Sequence, residues 1–222
     1  MNAGQVLQGV SLVTQLPSEL AETPVGGLAY DSRQAGERYL FFAFPGAKAD
    51  GRAFAQMAVE RGAIAVISEL PRPEGFAAAA PWIQVEHGRQ ALATAGRNFY
   101  RAPDEALGVT AVTGTNGKTT TTYLIDSVLR AAGHVTAMIG TIEYHVAGKV
   151  RPAVNTTPES LDLFKIFDEV LLLGGTHATM EVSSHALALG RVYGFRFHTA
   201  VFTNLTRDHL DFHETMENYF GA

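Results

Sequence analysis

Val112–Leu124 reads VTGTNGKTTTTYL, and no other stretch restricts the fold of this chain as strongly. An apolar run over 108–113 predicts a strand. A glycine-rich turn follows, and residues 118–132 have the spacing of an amphipathic helix. Glycines let backbone N–H groups turn toward phosphate oxygens with no Cβ in the way. The start of the helix adds its partial positive charge. Lys118 supplies a point charge for outer phosphates, and the Thr119 hydroxyl suits Mg²⁺, an oxygen-seeking ion. The strict pattern G-x-x-x-x-G-K-[ST] would need glycine at 112, where valine stands. The loop is a shorter variant, Gly114-x-x-Gly117-Lys118-Thr119. The plainer alternative is a glycine-rich βα turn with an incidental lysine; two glycines, a lysine and a threonine at this spacing between strand and helix favour the phosphate grip.

Around this grip, strand and helix alternate. Strands are predicted at 28–31, 39–44, 63–68 and 81–86, with helices at 53–61 and 88–100. Gly62 stops the first of these helices. Residues 101–107 carry a proline, mixed charge and no periodicity, and read as a linker. Beyond them come strands at 108–113, 134–140, 176–182 and 198–203, with helices at 118–132 and 160–173. This pattern predicts an α/β chain: a small N-terminal α/β domain (1–103), then a P-loop central domain with a mainly parallel sheet (104–222). Four or five strands are few for such a sheet, and the last residues begin a helix and stop, so the second domain is expected to be incomplete.

Composition removes several classes of function. The net charge of −5 opposes general nucleic-acid binding. Cysteine is absent, which excludes disulfides and thiolate metal sites and fits a cytoplasmic setting. The N-terminus has no signal-peptide pattern, and no apolar run approaches the roughly 20 residues of a membrane span. The expectation is a monomer without nucleic-acid or membrane partners.

Two more polar segments end predicted strands. M180-E-V-S-S-H185 follows one strand, and F202-T-N-L-T-R-D-H-L-D211 follows another. Ligands of open α/β sheets bind at that edge. Glu181 is a hard oxygen ligand able to complete a Mg²⁺ shell, and His209 with Asp211 offers a second metal position or an orienting pair. V154-N-T-T-P-E159 brings uncharged donors and acceptors. There Thr157 also reads as a helix N-cap, with Pro158 in the first turn.

Taken together, G114-T-N-G-K-T-T120, N155-T-T-P-E159, E181-V-S-S-H185 and F202-T-N-L-T-R-D-H-L-D211 resemble the Mur ligases of peptidoglycan synthesis. D31-S-R33 and A49-D-G51 resemble that family's UDP-binding N-terminal domain. The similarity is greatest to members that add the third residue, meso-diaminopimelate or L-lysine, to a UDP-N-acetylmuramoyl-dipeptide. The resemblance implies an ADP-forming ligase that uses ATP and Mg²⁺ and works through an acyl phosphate.

It also implies residue roles. Gly114, Thr115, Asn116, Gly117, Lys118, Thr119 and Thr120 bind ATP. Thr119, Glu181 and His209 hold metal, and Lys118, Glu181 and His209 serve catalysis. Ser32, Ala47, Lys48 and Ala49 contact the uridine nucleotide. Asn155, Thr156, Thr157, Ser183 and Arg191 contact the muramoyl-peptide. Two positions depart from the pattern: Leu189 stands where some members have Gln, and Ala47 where some have His. A carbamylated lysine bridging substrate and metal, then a C-terminal domain, would follow Ala222, so a chain of this length is expected not to turn over alone. Folylpolyglutamate synthetase, a sister ligase and a non-catalytic nucleotide-binding module are the alternatives. The D-S-R segment argues against the first.

Overall fold

Short apolar runs alternating with helices build one parallel or mostly parallel sheet in each of two units, Met1–Arg101 and Ala102–Ala222. The computed structural model describes residues 1–46, 49–77 and 79–222.

The first unit opens with two short helices, α1 (Ala3–Val6) and α2 (Ser18–Glu22). Its strands are β1 (Gly27–Ala29), β2 (Tyr39–Phe42), β3 (Ala63–Ser68) and β4 (Trp82–Gln84), all parallel in the order β1-β2-β3-β4. Phe41 and Phe42 are adjacent on β2 and so face opposite sides of the sheet. Both are buried, which means that both faces are covered. The helix expected over 53–61 begins earlier, as a 3-10 turn (Gly51–Phe54), because the Asp50 carboxylate accepts from the Arg52 N–H at 2.9 Å. It becomes α-helical as α3 (Ala55–Glu60) and ends before Gly62, at φ +104°. The unit closes with α4 (Gly88–Phe99).

The second unit begins inside the expected linker. Pro103 starts a four-residue helix, α5 (Pro103–Ala106), with Asp104 and Glu105 in its first turn. Proline at the first helical position and acids beside it are ordinary start signals, too brief here to show periodicity. Asp104 is buried and accepts from the Arg196 N–H at 2.9 Å.

Then follow β5 (Gly108–Thr113), α6 (Lys118–Ala131), β6 (Thr136–Ile139), β7 (Glu143–Val146), β8 (Lys149–Pro152), α7 (Ser160–Leu172), β9 (His177–Glu181), α8 (Ser184–Ala188), β10 (Thr199–Phe202), α9 (Leu210–His213) and α10 (Met216–Gly221). The sheet order is β10-β5-β9-β6-β7-β8. It has six strands rather than the expected four or five. The two additions, β7 and β8, are antiparallel. Their two-residue turn, Ala147-Gly148, has positive φ at both positions, as the tight turns that match strand twist require. The core gathers Leu163, Phe167 and Val170 of α7 over Val109, Ile139 and Met180 of the sheet. No helix among the described residues is long and apolar enough to cross a membrane.

β10, β5, β9 and β6 are parallel, so Phe202, Thr113, Glu181 and Ile139 end at one common edge. His177 lies at the other end of β9. Its ring centroid is 4.3 Å from that of His134, and the Thr176 hydroxyl contacts both Nδ1 atoms. Burial, then the charges of His134 and His198, push His177 below its ordinary value of 6.5. The folded state therefore favours the neutral ring. Its contribution is complete above about pH 6.5 and is lost as pH falls below that, because the unfolded chain takes up the proton first. His177→Gln is expected to flatten the decline in urea stability between about pH 7 and about pH 5; an unchanged slope would assign the decline to other groups.

Candidate functional site

The first hydrogen bond inside α6 runs from the Thr121 N–H to the Gly117 carbonyl, at 2.9 Å. The N–H groups of Gly117, Lys118, Thr119 and Thr120 precede it and have no acceptor within the helix. They form the anion-binding end. Gly117 makes the left-handed turn into it, at φ +87°. Gly114 has φ +127°, and a Cβ there would stand 2.2 Å from Thr203 Oγ1 and 2.8 Å from the Asn204 carbonyl oxygen. Only glycine fits.

The segment after β10 straps the loop from behind. The Thr115 N–H donates to the Asn204 carbonyl (2.8 Å) and the Asn116 N–H to Asn204 Oδ1 (3.2 Å). Thr203 Oγ1 and Asn204 Nδ2 both donate to the Asn116 carbonyl, at 2.7 and 2.9 Å. The amides of Thr115 and Asn116 are thus engaged within the protein, which narrows the amide grip to 117–120. Lys118 Nζ donates to the carbonyls of Gly114 (2.7 Å) and Thr115 (3.0 Å). An ammonium has three protons, so one remains.

Glu181 ends β9 and is 1% exposed. Its carboxylate accepts from the Thr119 hydroxyl (3.0 Å), the Thr141 N–H (2.9 Å) and the Thr141 hydroxyl (3.1 Å). Among the described residues no ion pair reaches it. A buried anion supported by neutral donors alone, beside a threonine hydroxyl and a helix start, suits a hard cation. Thr141 Oγ1 also lies 3.1 Å from Thr156 Oγ1, which joins the grip to the 155–157 segment.

Thr157 is not a helix cap. Its hydroxyl donates to the Glu181 carbonyl (2.9 Å) and accepts from the Ser183 N–H (3.0 Å). Helix α7 starts two residues later than such a cap would set it, and its N-cap is Glu159. Arg191 Nη1 donates to the Thr157 carbonyl at 3.0 Å, and Nε lies 3.2 Å from Glu159 Oε1. Ser183 caps α8, accepting from the Ala186 N–H at 3.2 Å. Asn155 is held by its backbone: its N–H donates to the Tyr144 hydroxyl at 3.1 Å.

Gly114, Lys118, Ser183, Leu187, His209 and Tyr219 line a cavity of about 230 Å³. His209 therefore shares a wall with the phosphate loop. Its ring centroid is 4.8 Å from that of His185, which burial and then the charges of His209 and His213 push below the ordinary value. The expected pairing of His209 with Asp211 is not formed among the described residues. His209 Nε2 lies 3.7 Å from Asp208 Oδ2, and Asp211 is exposed on the first turn of α9.

In the first unit Ser32 is buried, with Oγ 3.5 Å from Met57 Sδ. Asp31 shapes its turn by accepting from the Arg33 N–H (3.0 Å), and hydrogen bonds from the Arg33 guanidinium hold its carboxyl below the usual range. The Ala49 carbonyl accepts from the Gly46 N–H at 2.9 Å. Ala47 and Lys48 lie outside the described residues. Thr141 and Tyr219 belong to the site's framework and were not expected, and Asn204 and Thr206 belong to it from within the 202–211 segment, where no role was assigned to them. For Thr141 the available signal was Gly140-Thr141 closing an apolar run.

Comparison with known proteins gives two family matches. The Mur ligase middle domain matches residues 112–222, and the Mur ligase family, catalytic domain, matches residues 24–100. The UDP-N-acetylmuramoyl-L-alanyl-D-glutamate--2,6-diaminopimelate ligase of Solibacter usitatus is 69% identical over 222 residues, which is 100% of this chain and 44% of that protein. The protein of the same name from Geobacter metallireducens is 46% identical over 200 residues, 89% of this chain and 38% of its own length. A solved structure of a ligase with that name superposes with a TM-score of 0.78 at 32% identity, over 93% of this chain and 41% of that one. The chain spans less than half the length of each.

Proposed function

Because this chain belongs to the Mur ligase family, we propose that it carries the nucleotide and precursor sites of an ADP-forming ligase that extends UDP-N-acetylmuramoyl-L-alanyl-D-glutamate by one diamino acid. The names of its relatives favour 2,6-diaminopimelate over L-lysine. The observation that carries the reading is the Thr119–Glu181 contact at the mouth of the phosphate loop.

In this reading the D-glutamyl carboxylate attacks the γ-phosphorus of ATP and ADP leaves. The amine of the diamino acid then attacks the acyl carbon, phosphate departs, and the amine's proton passes to solvent. A carboxylate alone is a poor acyl donor because its leaving group would be oxide. Phosphorylation supplies a better one. The chain's share is positioning and charge neutralisation. The amides of 117–120 and Lys118 hold the phosphates. Thr119 and Glu181 would hold Mg²⁺, with His209 at a second position, and the metal would neutralise phosphate charge. Ser32 and the 47–49 segment contact the uridine nucleotide in the first unit. Asn155, Thr156, Ser183 and Arg191 contact the muramoyl-peptide, and Thr157, fully buried, holds the Ser183 backbone through its hydroxyl.

ATP, UDP-N-acetylmuramoyl-L-alanyl-D-glutamate and 2,6-diaminopimelate, given to the protein at the length of its relatives, should yield ADP and the UDP-linked tripeptide. ADP release indifferent to the UDP precursor sinks the assignment. Glu181→Gln keeps the shape and removes the charge. It is expected to weaken Mg²⁺-dependent ATP binding about tenfold and leave metal-free binding unchanged. An equal loss with and without Mg²⁺ in calorimetric titrations would move the metal elsewhere.

A further inference from the structure

We propose that Tyr219 is a positioning residue for the nucleotide: its hydroxyl donates to Thr115 Oγ1 and fixes the phosphate loop in its binding shape. The proposal rests on the nucleotide site of the ligase reading. It adds a residue from α10, 104 positions from the loop in sequence, that touches no phosphate.

The direction of the bond follows from counting. A threonine hydroxyl has one proton and two lone pairs. Thr115 Oγ1 lies 3.2 Å from the Thr206 carbonyl, to which it donates, and accepts from the Thr206 N–H at 2.9 Å. Its third neighbour is Tyr219 Oη, at 3.0 Å. With the proton committed to Thr206, the phenol donates and fills the second lone pair. Thr115 is 7% exposed and Tyr219 6%, so water does not readily replace a lost partner.

The loop needs such an anchor. The Thr115 and Asn116 amides face Asn204, and the phosphate-facing amides begin only at Gly117. Their aim depends on how Gly114-Thr115-Asn116 is held. The Asn204 strap fixes the backbone of these residues, and Tyr219 and Thr206 fix the one buried side chain among them. The phenol is itself seated: its ring lies 5.1 Å from the His213 ring, tilted 31°. Thr215 Oγ1 caps α10 by accepting from the Asn218 N–H at 3.1 Å.

Tyr219→Phe removes the hydroxyl and keeps the ring. Mg·ADP titrated calorimetrically into this chain should bind about fivefold more weakly to Tyr219→Phe, with little change in melting temperature. Tyr219→Ala should bind at least as weakly. Combining Tyr219→Phe with Thr115→Val should lose no more than Thr115→Val alone, because both remove the same bond. Phe binding as tightly as Tyr, additive losses in the double variant, or a Tyr219→Phe chain that no longer melts cooperatively would each overturn the proposal. Failure of the unsubstituted chain to bind Mg·ADP is a different outcome: it removes the nucleotide site itself, and Tyr219's role with it.

Discussion

Gly114→Ala is expected to weaken Mg·ATP binding about a hundredfold while the chain still melts cooperatively. Two effects act at once. The backbone at 114 sits at φ +127°, where an L side chain is strained, and the new Cβ would overlap both Thr203 Oγ1 and the backbone oxygen of Asn204. The hydroxyl can rotate away, but the carbonyl cannot, because it accepts from the Thr115 N–H. The relief is a displaced loop, and a displaced loop moves the 117–120 amides off the phosphates. Strain of this kind is about 1–3 kcal/mol, and about 1.4 kcal/mol is a factor of ten. The damage stays local, since Gly114 contributes nothing to the apolar core. Calorimetry with Mg·ATP reads the affinity and a thermal melt reads the fold. Unaltered affinity would show that the cradle does not grip phosphate.

The largest expected effect on stability is that of Phe167→Ala, a loss of about 3–5 kcal/mol. Phe167 is fully buried in the core of the second unit, and its ring meets Phe195 edge-on with centroids 6.1 Å apart. Truncation removes apolar area and leaves a cavity lined by strand residues, which cannot collapse onto it without breaking the sheet. Domains are stable by about 5–15 kcal/mol, so the variant should remain folded with a much lower urea midpoint by circular dichroism. A loss under about 1 kcal/mol would mean that α7 can reseat itself on the sheet.

The legible parts of this structure are those where chemistry and period are local. The strand, glycine turn and helix over 108–131 could be read because each residue type serves its own position. Glu181 could be read because it ends an apolar run. The hairpin of β7 and β8 could not be read as easily. Its strands are four residues each, and the clue was the turn, Ala147-Gly148, rather than either strand. The helix in the expected linker failed for a similar reason: four residues show no face. Thr157 misled because Thr-Pro-Glu is a sound helix start, and only the fold shows its hydroxyl turned to Glu181 and Ser183. The roles of Thr141, Asn204 and Tyr219 could not be assigned because their partners lie 40, 88 and 104 positions away.

The ammonium of Lys118 rests on two carbonyls of its own loop. The grip thus comes with an internal counter-dipole and is not a bare positive hole awaiting any anion. A lone small anion would engage the spare proton and only some of the four amides. A chain of linked phosphates meets the four amides and the spare proton together. If the ligase reading holds, a preference for linked phosphates over small inorganic anions would follow from the geometry of the loop itself.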